Sequence, residues 1–208
     1  NLQVTADFVA TTVNELKKKH GCPVAYFSGP VGGLLAPPRT GVNDSDGKPL
    51  HAGSFKYTET YGRMVAVLAD KAIAATKPIT LTPFKVRRHR VNMPLWNPMY
   101  MLARRAKLIE RDAYFWTGDA YKRGELFTEN VTQAPAIETE VAALRLGQLH
   151  VACIPGAIYP ELVNGRVQDP PDKGADFADA PKEKHIHALL PDDRMLIIGL
   201  ANDEIGYI

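Results

Sequence analysis

Residues 148–162 read Gln148-Leu149-His150-Val151-Ala152-Cys153-Ile154-Pro155-Gly156-Ala157-Ile158-Tyr159-Pro160-Glu161-Leu162. An apolar run breaks at Pro155-Gly156 and then presents polar side chains, the pattern of a buried strand that ends in a turn. Just upstream, Glu138-Thr139-Glu140-Val141-Ala142-Ala143-Leu144-Arg145-Leu146 reads as a partner strand, and Gly147 between the two predicts a β-hairpin. Just downstream, Pro160 predicts a short helix over 159–164. A second run of the same kind closes the chain. Met195 to Leu200 reads as the last buried strand, and it opens into Ala201-Asn202-Asp203-Glu204-Ile205-Gly206-Tyr207-Ile208. Functional groups of α/β proteins gather at such strand ends.

Working outward, the chain alternates helix and strand patterns. Thr5 is placed to cap a helix with Asp7 in its first turn and Phe8, Thr12, Val13 and Leu16 on one face. Lys17-Lys18-Lys19-His20-Gly21 supplies last-turn cations and a terminating Gly. Pro23 to Phe27 reads as a short buried strand that ends in Ser28-Gly29-Pro30-Val31-Gly32-Gly33. Residues 36–54 predict a long loop in which Asp44-Ser45-Asp46-Gly47 is a plain turn, since the remaining ligands and the closing Glu of a calcium loop are absent. Tyr61, Met64, Val65, Leu68, Ala69, Ala72 and Ile73 keep i, i+3, i+4 spacing and predict a second helix with that face inward. Residues 79–91 read as extended, 97–110 as helical, 112–129 as ambiguous and 164–191 as a polar, Pro-rich loop. The sum is an α/β (mixed) fold, a layered sheet of parallel and antiparallel strands with packed helices.

Composition sets outer limits. The chain has 208 residues, 45% of them apolar and 23% charged, as in an ordinary globular domain. A net charge of +2 gives no electrostatic reason to expect nucleic acid. No run of about 18 apolar residues is present to span a membrane as a helix. Cys22 and Cys153 both sit in apolar runs and are expected as buried free thiols. The start at Asn1, without Met, and the end one residue after Tyr207 suggest a single domain over residues 1–208 that is a piece of a longer protein.

The paired segments Cys153 to Leu162 and Ile198 to Ile208 resemble the neutral (non-lysosomal) ceramidase family. The zinc amidase domain of that family carries a Pro-Gly-Glu turn and, later, an Ala-Asn…Tyr turn, and the Glu and the Tyr both bind zinc. Here Tyr207 matches the Tyr, and Ala157 stands where the Glu belongs. Asn1 to Phe8 resembles the stretch that follows a zinc-binding His-Pro. Val24 to Pro37 resembles the loop Asn-x-Gly-Asp-Val-Ser-Pro, with Gly32 at its Gly, Gly33 at its Asp, and Leu35 or Ala36 at its Ser. Asn92-Met93-Pro94-Leu95-Trp96-Asn97 resembles a linker of the family. The resemblance implies zinc as cofactor, a small-molecule or lipid amide substrate, and an extracytoplasmic or peripheral, membrane-proximal setting.

The candidate site follows. A zinc ion with N/O ligands lowers the pKa of a bound water to about 7, which yields a hydroxide able to attack an amide carbonyl. Tyr207 is the candidate ligand by motif, and Glu161, four residues after Ala157, is a candidate carboxylate; core packing and plain exposure are the competing readings. Gly32 and Gly33 offer backbone N–H groups for an oxyanion, or they simply relieve a strand-to-helix turn. Asn202, Asp203 and Glu204 are polar candidates at a strand end that could equally cap the next element. His185-Ile186-His187 would place two imidazoles on one face of a strand, as metals use or as a solvated pair. Lys85-Val86-Arg87-Arg88-His89-Arg90 reads as a solvated basic face before an anion-binding patch. Three functions fit: a ceramidase-like zinc amide hydrolase, a non-catalytic binding module on the same scaffold, or a divergent metal hydrolase with a non-lipid substrate.

Overall fold

A computed structural model describes residues 4–34, 41–128, 135–175, 178–179, 182–189 and 195–208. The chain forms two compact units, Asn1–Phe27 with Leu34–Ile79, and Ser28–Gly33 with Thr80–Ile208.

The first unit pairs helix α1 (Asp7–His20) with helix α2 (Phe55–Ala74). Gly21 ends α1 in the left-handed region, its N–H donating to Lys17 O at 2.9 Å. The start differs from expectation. Thr5 Oγ1 accepts the Asp7 N–H at 3.2 Å, but Ala6 is the capping position and no side chain caps it. Ser54 does cap α2, its Oγ accepting the Tyr57 N–H at 3.1 Å.

The inward face of α2 is turned from the one its apolar spacing predicts. Tyr57, Gly62 and Ala66 are buried, whereas Met64, Leu68 and Ile73 are exposed. The reason is close helix contact. A Cβ on Gly62 would lie 2.7 Å from Phe8 O and 2.7 Å from Thr11 Cβ, so only Gly lets the backbones approach. Thr12, buried on α1, donates its hydroxyl to Gly62 O at 2.9 Å. Phe8 and Tyr61 close one end edge-to-face, with ring centroids 5.2 Å apart. Gly62 and Thr12 thus set the close approach, with Leu16 and Tyr57 buried beside them, and Met64, Leu68 and Ile73 lie outside the seam.

Pro23 to Phe27 is not a strand: it has no ladder partner among the described residues, and Tyr26 and Phe27 are 45% and 62% exposed. Cys22, expected buried, is exposed, while Cys153 is buried and both thiols are free. The Asp44 turn forms as read, with Asp44 Oδ1 accepting the N–H groups of Asp46 and Lys48 at 3.0 and 2.9 Å. Residues 36–40 of the expected loop lie outside the described residues.

The second unit is a mixed sheet. Its strands are β1 (Phe84–Pro94), β2 (Tyr114–Phe115), β3 (Pro135–Leu146), β4 (Leu149–Cys153) and β5 (Met195–Ile198), with helices α3 (Pro98–Arg105), α4 (Pro160–Asn164) and α5 (Ile186–Leu189). The order is β1-β3-β4-β5, with β2 on β3. β1/β3, β2/β3 and β3/β4 are antiparallel and β4/β5 is parallel. The expected hairpin is present, turning at Gly147. A parallel neighbour demands a long crossover, and the segment holding α4 and α5 supplies it. Val163 and Ile158 pack with Ile197, flanked by Ala152, Ile154, Ile186 and Met195, so the crossover covers one face of β4 and β5. Fully burying Val163, 1% exposed, contributes about 1.5–3 kcal/mol.

Helix α3 is shorter than the 97–110 span expected; Asn97 caps it, its Oδ1 accepting the Met99 N–H at 2.9 Å. His185 and His187 do not share a strand face, because α5 starts between them. His185 instead lies over Gly165, with its Nδ1 3.3 Å from Val163 O.

Candidate functional site

Three segments far apart in sequence meet beyond the carboxyl ends of β4 and β5, joined by backbone bonds. Ile154 N–H donates to Ile198 O at 2.9 Å and continues the parallel ladder past Cys153. Leu200 N–H donates to Gly156 O at 3.0 Å, Ala201 N–H to Ile154 O at 2.9 Å, and Ile205 N–H to Pro155 O at 2.9 Å. The two turns then rejoin. Ala157 N–H donates to Gly206 O at 2.9 Å, Ile208 N–H to Ala157 O at 3.2 Å, and Tyr159 N–H to Ile208 O at 3.1 Å. Ala157 and Tyr207 form a parallel bridge. The third segment, 28–33, enters through Gly199 N–H to Ser28 O at 2.9 Å and Gly32 N–H to Ile158 O at 2.8 Å.

Glycine makes this crowding possible. A Cβ on Gly32 would lie 2.6 Å from Ala157 O and 2.7 Å from Tyr159 N, and both obstacles are backbone that cannot swing aside. Gly33, at φ +75°, sits against the Tyr159 ring. The Gly32 N–H is thereby spent on Ile158 O. The Gly33 N–H has no partner among the described residues and is the one of the pair that can offer a bond to a ligand. Leu35 and Ala36, at the position of the family's Ser, lie outside the described residues.

Tyr207 is 55% exposed, and its ring stands tilted at 42° to that of Tyr159, with centroids 6.1 Å apart. Asn202, exposed, holds a left-handed backbone at φ +66°. Glu204 folds back so that its Oε1 accepts the Gly206 N–H at 2.9 Å, which braces the turn before Tyr207. Glu161 is exposed on α4.

Asp203 is committed elsewhere. Arg111 clamps it with two bonds, Nη1 to Oδ1 at 2.9 Å and Nη2 to Oδ2 at 2.5 Å. Thr139 Oγ1 donates to Oδ2 at 2.6 Å, and the Glu204 N–H donates to Oδ1 at 2.9 Å. Arg111 also donates to Glu138 O at 2.6 Å, so one guanidinium ties β3 to the last turn. Burial pushes the Asp203 carboxyl up, but the bonds from Arg111, Thr139 and Glu204 and the Arg111 charge outweigh it and hold it below the ordinary range. The bond to Asp203 holds Arg111 above its usual value against the opposing effect of burial. A carboxylate so held stays ionised and positions the turn; it is poorly placed to take up a proton as a general base. Sequence reading missed Arg111 and Thr139. They lie 92 and 64 residues from Asp203 and carry no local pattern.

The described residues supply few donors for a metal ion. Ala157 presents a methyl group beside Tyr207, and no group of three or more His, Cys, Asp or Glu side chains among the described residues could hold a metal ion. His185 precedes α5 and His187 lies within it, so the two do not share one face of a strand. The Cys153 thiol is pushed up by burial and stays protonated. No helix among the described residues is long and apolar enough to cross a membrane.

No protein-family model matches the chain, and no curated protein matches it. Among solved structures it is similar to the crystal structure of neutral ceramidase from Pseudomonas aeruginosa, with a TM-score of 0.53 and 14% identity. The likeness covers 100% of this chain and 35% of that one, so the chain spans about a third of that protein's length. At this identity the likeness is one of fold alone.

Proposed function

We propose that the turn cluster is a binding site for the N-acyl amide of a small molecule or lipid, on a ceramidase-like scaffold that has lost zinc chemistry. The observation that carries this reading is the Ala157–Tyr207 bridge. The two positions that the resemblance assigns to metal binding lie side by side, yet one of them holds a methyl group. Around that point the cluster offers what an amide needs. The Gly33 N–H is a donor for the carbonyl oxygen, the Tyr207 hydroxyl bonds either end of the amide, and the Tyr159 and Tyr207 rings give apolar contact.

Zinc-dependent amide hydrolysis is the second reading, favoured by that same adjacency. Zinc content by elemental analysis and hydrolysis of a short-chain ceramide separate the two. The binding reading expects no stoichiometric zinc and no hydrolysis, together with saturable ceramide binding. One zinc per chain with ceramide turnover would overturn it. Ala157→Glu supplies the absent carboxylate next to Tyr207, and a gain of zinc affinity in that variant would support the assignment of the site.

A further inference from the structure

Among the described residues the basic strand β1 has a strand partner on one side only, and its hydrogen-bond register shows which backbone groups its outer edge presents. Gly147 N–H donates to Pro83 O at 3.0 Å and Leu95 N–H to Pro135 O at 2.8 Å, at the two ends of the β1/β3 ladder. In an antiparallel pair the bonding residues alternate. Lys85, Arg87, His89, Val91 and Met93 therefore turn their N–H and C=O groups toward β3, while Phe84, Val86, Arg88, Arg90 and Asn92 turn theirs outward. Asn92 confirms the phase, because its N–H donates to Ala120 O at 2.7 Å on the outer side. The other outward groups, from Phe84 to Arg90, have no backbone partner among the described residues, and all seven side chains of this stretch are exposed.

Charge on this edge is unbalanced. Arg88 and Arg90 lean on Glu140 and Glu138 across the ladder, at 3.8 and 3.5 Å. On the opposite face Lys85 lies directly across from Arg145, with Arg87 next along and facing Ala143. Lys85 and Arg87 have no acidic partner among the described residues. Like charges opposed across a ladder are unfavourable, so Lys85 across from Arg145 does not stabilise the sheet. Phe84 and Val86, 61% and 51% exposed, give the other face an apolar end.

We infer that β1 is a docking edge for an extended acidic peptide, which adds as a further strand along Phe84–Arg90. Its acidic side chains lie over Lys85 and Arg87, its apolar ones over Phe84 and Val86, and its backbone bonds the outward groups. The segment around Ala120, already bonded at Asn92, marks where the added strand stops.

The test titrates the chain with an end-capped peptide of four Glu-Val repeats and follows amide hydrogen exchange. Bound peptide should protect the N–H groups of Phe84, Val86, Arg88 and Arg90, while those of Lys85, Arg87 and His89 stay as they were. Val86→Pro removes one outward N–H and leaves the β3 ladder intact, since an edge strand tolerates Pro at such a position. It should weaken binding about fivefold to tenfold, the worth of roughly one hydrogen bond. Arg87→Glu should weaken binding and lower its sensitivity to salt. Absence of protection at the outward N–H groups would overturn the inference. So would unchanged affinity in Val86→Pro, or binding to phosphatidylserine vesicles with none to the peptide.

Discussion

Replacing Arg111 with Met and Asp203 with Asn, singly and together, isolates the clamp that holds the last turn. Each side chain is 24% exposed, so the pair lies between two regimes. Exposed ion pairs contribute about 0.2–1 kcal/mol, and breaking a buried one costs about 3–5 kcal/mol. The bidentate geometry, the added bonds from Thr139 and the Glu204 N–H, and the Glu138 carbonyl on Arg111 move it above the surface value. Each single variant should therefore lose about 2 kcal/mol by urea unfolding at pH 7, with a coupling of about 1–1.5 kcal/mol in the double-mutant cycle. The pH dependence has a definite sign. The Asp203 carboxyl is held down in the folded state, so its contribution is fully present above the unfolded Asp value near 4 and is lost as pH falls through the lower folded value. The stability gap between wild type and Asp203→Asn should be constant above about pH 5 and close below about pH 4. A coupling under about 0.5 kcal/mol, or a gap that does not change with acid, would rule out the clamp as a brace of the last turn.

Close backbone approach and helix capping are open to substitution as well. Gly32→Ala drives a methyl into the backbone of Ala157 and Tyr159 and should cost about 2–3 kcal/mol, read as a lower urea midpoint. Gly62→Ala should loosen the first unit similarly, while Thr12→Val, which leaves Gly62 O without its side-chain donor, should cost about 1–2 kcal/mol by thermal unfolding. Ser54→Ala removes the cap of α2 and should cost about 1 kcal/mol, with a small loss of helical circular dichroism.

The elements that sequence revealed are those whose signal is local. Gly21 and the cations before it mark the end of α1, Gly147 marks the hairpin, and Pro160 marks α4. Apolar runs mark β4 and β5. The mixed sheet followed from these. What was hidden depends on partners far away along the chain. The inward face of α2 is set by Gly62 and Thr12, neither of which counts as apolar in a periodicity argument. Pro23 to Phe27 has strand-like composition, but a strand needs a ladder, and Tyr26 and Phe27 stay largely exposed. His185 and His187 looked alternating, yet Val163 and Ile186 draw that segment into the core as a helix turn. At the candidate site, Asp203 and Glu204 were legible as polar residues at a strand end. Their roles were not, because Arg111 and the Gly206 N–H that engage them become neighbours only through the fold.

The Ala157–Tyr207 turn cluster is proposed to bind an N-acyl amide. Titration of the isotope-labelled chain with a short-chain ceramide, followed by amide NMR shifts, tests it most directly. Saturable shifts are expected at Gly33, Ala157, Tyr159 and Tyr207, with a weakened affinity in Tyr207→Phe and the fold unchanged. Ceramide that leaves these four amides unmoved, or that binds Tyr207→Phe as tightly as wild type, would contradict it.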